Sequence, residues 1–175
     1  SVAPSAKQTA RETTAAFLRE AKGASGRPKL YVRVNDLASG LTTQDLDAVM
    51  EAGPDGLVLP KAVGGSDVSH LAALVAVREA EFSLDDGATR IMAIGTETAR
   101  SIFALGEFRG SSHRLVGIAW GGEDLSADLG AETNRDERGV FTDPYRLART
   151  LTLMGAASAE VDAIDTVYTA FRDLS

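Results

Sequence analysis

Short, almost wholly apolar runs alternate with helix-like stretches along the whole chain, and this alternation restricts the fold more than any other feature. Residues 30–35, 56–61, 90–97, 114–121 and 161–164 read as strands, rich in β-branched and aliphatic side chains. Between them the spacing predicts an amphipathic helix over 4–22, with Pro4 near its start and Gly23 past its end. A second helix runs from a Thr42 or Thr43 cap to about Ala52, and a third, capped by Ser66, covers 67–82. Residues 98–107 read as a short helix and 143–154 as a longer one. The polar, glycine-bearing stretch 122–141 reads as a loop with a helical turn near 124–129. Strands this apolar need cover on both faces, which parallel βα units supply. An open doubly wound sheet and a (β/α)-barrel both fit, although an eight-fold barrel usually takes about 250 residues and this chain has 175. No repeat, linker or low-complexity tract divides residues 1–175, so one domain is expected.

In parallel α/β folds, ligands bind at the carboxyl ends of the strands. Charged residues collect there: Arg33 and Asn35 end the first run, Pro60-Lys61 the second, Thr96-Glu97 the third, and the fourth leads into Gly121-Gly122-Glu123-Asp124. Burying such groups is unfavourable unless they pair or hold a metal. Glu97 and Asp124, from neighbouring strand ends, are hard oxygen ligands of the kind Mg²⁺ prefers, few enough to leave room for water and substrate oxygens. Arg33 offers a planar fork for a carboxylate. Gly121 and Gly122 permit close backbone approach to a ligand. Lys61 suits either a substrate contact or an ion pair with an acid across the mouth of the sheet.

Each residue also has a plainer reading. Arg33 serves as a strand-end surface charge, Glu97 as an acid at a helix start, Asp124 as the N-cap of 125–129 and Glu123 as a surface acid. Asp128 reads as a capping or solvated acid rather than a metal ligand, Trp120 as packing, and His70 and His113 as structural.

Composition removes whole classes of function. The formal charge of −7 argues against nucleic-acid binding, which needs a basic face. A few local cations still suffice for a small anion. With no cysteine, disulfides, thiolate metal sites and cysteine nucleophiles are excluded. No apolar run approaches the ~20 residues of a membrane span, and the first residues lack the apolar core of a signal peptide. A cytoplasmic protein is expected.

Four ordered blocks carry a resemblance. Tyr31-Val32-Arg33-Val34-Asn35, Asp55-Gly56-Leu57-Val58-Leu59-Pro60-Lys61, Thr96-Glu97-Thr98-Ala99 and the run from Trp120 to Gly130 follow in the order seen in the citrate lyase β-subunit-like family. That family includes malyl-CoA and citramalyl-CoA lyases and is similar to aldolases that use pyruvate or phosphoenolpyruvate on a (β/α)₈ barrel. The resemblance covers essentially the whole chain. It implies an incomplete parallel (β/α) TIM-type barrel, lacking the first strand with its acidic Asp-Leu-Glu-Asp block, the last strands and a lid. It implies Mg²⁺ held by Glu97 and Asp124, and Arg33 binding the oxygens of a 2-oxo or hydroxy acid. Gly121, Gly122 and Glu123 would form the wall beside the metal, with Lys61 near the substrate.

The reaction so implied is cleavage or formation of a 3-hydroxyacyl-CoA such as malyl-, citramalyl- or citryl-CoA, yielding acetyl-CoA and a 2-oxo acid. A thioesterase on the same site, or a non-catalytic subunit binding CoA or an acyl carrier, are the alternatives. The resemblance also implies a homotrimer. Neither histidine is well placed as the general base, and the chain offers no obvious other.

Overall fold

A computed structural model describes residues 2–167. Residues 1 and 168–175, which the single-domain expectation also covers, lie outside the described residues. Among the described residues five strands are present: β1 (Tyr31–Arg33), β2 (Gly56–Leu59), β3 (Arg90–Ile94), β4 (Leu115–Ala119) and β5 (Asp162–Ile164). They pair in chain order, β1 to β5, and every pairing is parallel. A doubly wound sheet reverses its strand order at a switch point, and no reversal occurs here. Right-handed crossovers between sequential neighbours place the connecting helices on one side of a sheet.

The helices are α1 (Lys7–Lys22), which precedes β1, and α2 (Thr42–Val49), α3 (Gly65–Glu81), α4 (Ala99–Ile102), α5 (Gly122–Asp128) and α6 (Asp143–Ala159) between strands. Contacts run from α1 to α2 and from α2 to α3. They continue from α3 through a 3₁₀ turn at Leu105–Phe108 to α6. The core lies between this layer and the sheet. Leu57, Leu59, Ile91, Ala93 and Ile118 from the strands meet Leu46, Met50, Val68, Leu71, Val75 and Phe108, all essentially inaccessible to solvent. The other face carries Arg33, Val58 and Met92 in lateral register; Arg33 is exposed and the two apolar side chains are partly covered.

Four local expectations are corrected. Thr42 and Thr43 do not cap α2: Leu41 is the N-cap, and the Thr42 hydroxyl instead donates to the carbonyls of Asn35 and Asp36, tying the helix start to the end of β1. Ser66 does not cap α3. The helix begins at Gly65, where a Cβ would stand 2.0 Å from the Glu107 carbonyl oxygen, and the Asp67 carboxylate accepts from the Val63 N–H just outside.

The helix expected over 98–107 breaks after Ile102. Burial of both Leu105 and Phe108 requires the i, i+3 alignment of a 3₁₀ turn, and Phe103 is left 92% exposed. The helix expected to stop at Met154 runs on to Ala159. Gly155, inside it, is a packing site where a Cβ would lie 3.2 Å from that of Leu105. No helix among the described residues is long and apolar enough to cross a membrane.

Candidate active site

The carboxyl ends of β1, β2 and β4 open onto a cavity of about 630 Å³ whose lining includes Lys7, Arg11, Arg33, Asn35, Lys61 and Asp124. Three sequence-predicted residues, Arg33, Lys61 and Asp124, thus share one space. Glu97 is buried, 5% exposed, and reaches it through its partners. It sits three residues past β3. There Gly95 donates to the Ala119 carbonyl, continuing the ladder, and the buried Thr96 hydroxyl accepts from the Gly121 N–H. This exchange locks the chain after β3 to the chain after β4.

One Glu97 oxygen accepts the backbone N–H of Lys61 at 2.5 Å. The Asp124 carboxyl lies close enough to act on it. Asp124 lies inside the first turn of α5, where the helix dipole favours an acid. Gly121 is the N-cap, so the plain capping role anticipated for Asp124 does not hold. The Lys61 ammonium completes the cluster 3.3 Å from Asp124. Burial pushes the Glu97 carboxyl above its ordinary range. The Lys61 N–H opposes this, the adjoining Asp124 adds to the rise, and the Arg33 charge lowers it slightly.

Two neighbouring carboxyl groups beside an ammonium form a site that a divalent cation could enter. The donor chemistry fits Mg²⁺, which binds through one or two carboxylates and keeps several waters. Among the described residues no cluster of three or more aspartate, glutamate or histidine side chains is poised around one point, so water and substrate would supply the remaining ligands.

The glycines have a packing role beyond the expected ligand approach. A Cβ at Gly121 would stand 2.7 Å from Glu97 Cγ and 3.3 Å from Ile94, so the bare backbone makes room for the glutamate. Gly122 makes room for the Trp120 ring, 3.2 Å from where its Cβ would be. A Gly121→Ala protein is therefore expected to displace Glu97 and to weaken divalent-cation binding about ten-fold. Titration calorimetry checks this, and unchanged affinity would show that Glu97 can move without consequence.

Glu123 is not at the cavity. It points to the following loop and accepts from the Asn134 side-chain amide. Asp128 accepts the Ala99 N–H at the start of α4. Trp120 packs edge-on against Phe141, but its indole N–H also donates to Asp165 beyond β5 at 2.7 Å. His70 and His113 do not line the cavity.

Sequence reasoning missed the support beneath Arg33. Lys7 donates to Asn35 Oδ1, Arg11 donates to one Asp45 oxygen, and the other Asp45 oxygen accepts both the backbone and side-chain N–H of Asn35 at 2.6 Å. The available signal was Lys7 and Arg11 at i, i+4 spacing, which puts both on one helix face. Asp45 was a further hint, as an acid beside the apolar positions of α2.

Residues 1–175 match the HpcH/HpaI aldolase/citrate lyase family model. The chain belongs to that family. Over 150 residues it is 33% identical to the citrate lyase subunit beta of Leuconostoc mesenteroides subsp. cremoris, covering 85% of this chain and 47% of that protein. Over 162 residues it is 27% identical to the mitochondrial citramalyl-CoA lyase of Rattus norvegicus, with 85% and 45% covered. The fold superposes with a TM-score of 0.76 on CitE from Mycobacterium tuberculosis, a structure in complex with magnesium and acetoacetate. That match is at 28% identity, over 98% of this chain and 62% of that one. The chain thus spans a little under half the length of the curated relatives it matches.

Proposed function

We propose that this chain carries the metal- and acid-binding half of a Mg²⁺-dependent carbon–carbon lyase acting on 3-hydroxyacyl-CoA thioesters, on a parallel (β/α)-barrel. The observation that carries the reading is the Glu97–Asp124 carboxyl pair, set at neighbouring strand ends beside the cavity that also holds Arg33. Membership of an aldolase and lyase family supports it, as does the magnesium bound by the CitE neighbour. The barrel is supported by the strictly sequential parallel order. The half-covered apolar Val58 and Met92, on the face away from the helices, are the kind of side chain that fills a barrel interior.

In this reading Glu97 and Asp124 would hold the ion, which when bound would supply Lewis-acid polarisation of the oxygens of the acid portion. Arg33 neutralises the carboxylate of the same acid with its bidentate fork. Asn35 and Asp45, tied to α1 through Lys7 and Arg11, keep the end of β1 in place, so Arg33 presents its charge from a fixed strand. Cleavage removes the hydroxyl proton and breaks the bond between the hydroxyl carbon and the thioester α-carbon. The electron pair passes to the thioester as an enolate, and protonation of that enolate releases acetyl-CoA. Backbone N–H groups at a strand end are the natural donors to the enolate oxygen. No described residue is assigned as the base.

The test is incubation of the full-length protein with malyl-, citramalyl- and citryl-CoA, each with Mg²⁺ and with excess EDTA. The expected result is acetyl-CoA plus glyoxylate, pyruvate or oxaloacetate, dependent on the ion. Free CoA with the intact hydroxy acid would instead identify a thioesterase. No turnover with a functional metal site would identify a binding subunit.

A further inference from the structure

We propose that Lys61 is the positioning residue of the carboxylate pair. Its backbone N–H fixes Glu97, and its ammonium neutralises Asp124 until a divalent cation displaces it. The inference rests on the metal reading above and adds a competitor built into the site.

Lys61 has a φ of +53°, and only Ser83 and Glu160 share a positive φ among the described non-glycine residues. A side-chain-bearing residue in that region is strained and persists where its surroundings hold it. Here they hold it on both sides. Pro60 precedes it, and the Ala62 N–H donates to the Ile94 carbonyl, returning the chain to β3. The left-handed bend sends the two ends of Lys61 to two different carboxyl groups. The N–H meets Glu97 at 2.5 Å, while the ammonium meets Asp124 at 3.3 Å. An extended or helical residue at this position would turn its N–H elsewhere and leave the buried Glu97 without this donor.

The ion pair has a second consequence. A divalent ion on Asp124 would meet a positive charge already in place, and like charges at that distance repel. Entry of the ion must therefore loosen the pair. Lys61 and Asp124 are each less than half exposed, so the ammonium can swing into the cavity that Arg33 also lines. There it faces the acid substrate. One side chain thus keeps the empty site neutral and adds a cation toward the substrate once the metal has arrived.

The test is calorimetric titration of Mg²⁺ alone into metal-free parent, Lys61→Gly, Lys61→Arg and Lys61→Val proteins, each checked for folding by circular dichroism. Glycine keeps the left-handed backbone and the N–H but deletes the ammonium. It is expected to bind Mg²⁺ about five-fold more tightly at low ionic strength, with the gain fading near about 1 M salt. Arginine, which keeps the charge, is expected to stay near the parent. Valine deletes the same charge but resists the left-handed backbone, and is expected to bind more weakly than glycine.

Unchanged or weaker binding by the glycine protein overturns the competitor role. Equal binding by the glycine and valine proteins overturns the backbone role. Absence of Mg²⁺ binding by all four proteins overturns the metal site and this proposal with it. If the glycine protein fails to fold, Lys61→Asn, which also tolerates this backbone region, takes its place with the same expected sign.

Discussion

A Glu97→Gln protein is expected to lose Mg²⁺ binding and yet to be more stable than the parent when both are metal-free at neutral pH. The two effects have one origin. Glu97 is buried against Asp124, and its carboxyl is held above its ordinary range, first by burial and then by the neighbouring acid. A carboxyl whose folded pKa exceeds its unfolded value binds its proton more tightly in the folded state. The stability it contributes is full below the unfolded value, near 4.5 for glutamate, and is lost as pH rises through the raised folded value. Neutral pH lies above the unfolded value, on the side where this contribution is reduced.

Glutamine removes that charge and retains an oxygen for the Lys61 N–H, so the metal-free protein should gain stability, and the gain should shrink toward acid pH. The ion needs the charge that glutamine lacks, so affinity should fall by 100-fold or more, about 3 kcal/mol. Parent affinity for Mg²⁺ should likewise rise with pH, as the ion competes with the proton. Thermal melts across pH with EDTA, paired with Mg²⁺ titrations, check both halves. A glutamine protein that melts lower than the parent without metal at neutral pH would show that Glu97 is not strained by its charge.

The second large effect lies at the opposite end of the strands. Arg114, just before β4, is 1% exposed and pairs with Glu79 of α3, also 1% exposed, at 2.7 Å. Its guanidinium donates as well to the Thr89 carbonyl and to Asp86. Glu79 accepts the N–H groups of Gly87 and Thr89. Burial pushes the Glu79 carboxyl up, but Arg114 and these two N–H donors together outweigh it and hold the group below its ordinary range. Arg114→Met should therefore lower stability by about 3–5 kcal/mol, because it leaves a buried carboxylate with no counter-charge.

The double variant Arg114→Met, Glu79→Leu should recover a substantial part of that loss, since it removes both charges. It should not recover all of it, because Gly87 and Thr89 would keep unpaired N–H groups. The stability that Glu79 confers is present above the ordinary glutamate pKa and lost as pH falls through the depressed value. Denaturant unfolding of the two variants checks the ranking, and an Arg114→Met protein within 1 kcal/mol of the parent would show that the pair is not a buried anchor.

The strands themselves were legible in the chain. Each is short, apolar and bounded by a charged or proline-bearing end, and β2, β3, β4 and β5 fall within the runs at 56–61, 90–97, 114–121 and 161–164. The side chains that meet at the site were also legible as residue types, because Arg33, Lys61, Glu97 and Asp124 interrupt or end apolar runs where a buried charge needs a reason. The register between strands was not, since periodicity describes one strand at a time and register belongs to pairs.

The roles of the glycines and of Lys61 were decided entirely by the fold. Gly121 matters because Glu97, twenty-four positions earlier, crosses 2.7 Å from where its Cβ would be. Gly65 matters because the Glu107 carbonyl passes over it. In the chain Lys61 suits either a substrate contact or an ion pair across the mouth of the sheet; the fold supplies the ion pair, and the positive φ and the convergence of three strand ends turn its N–H to one carboxyl group and its ammonium to another. Burial, pKa and pairing are properties of a neighbourhood assembled from distant segments, whereas strand and helix propensity is carried by a few consecutive residues. That difference in range is why the elements could be read in advance, and why the division of labour among Lys61, Glu97 and Asp124 emerged only with the packed sheet.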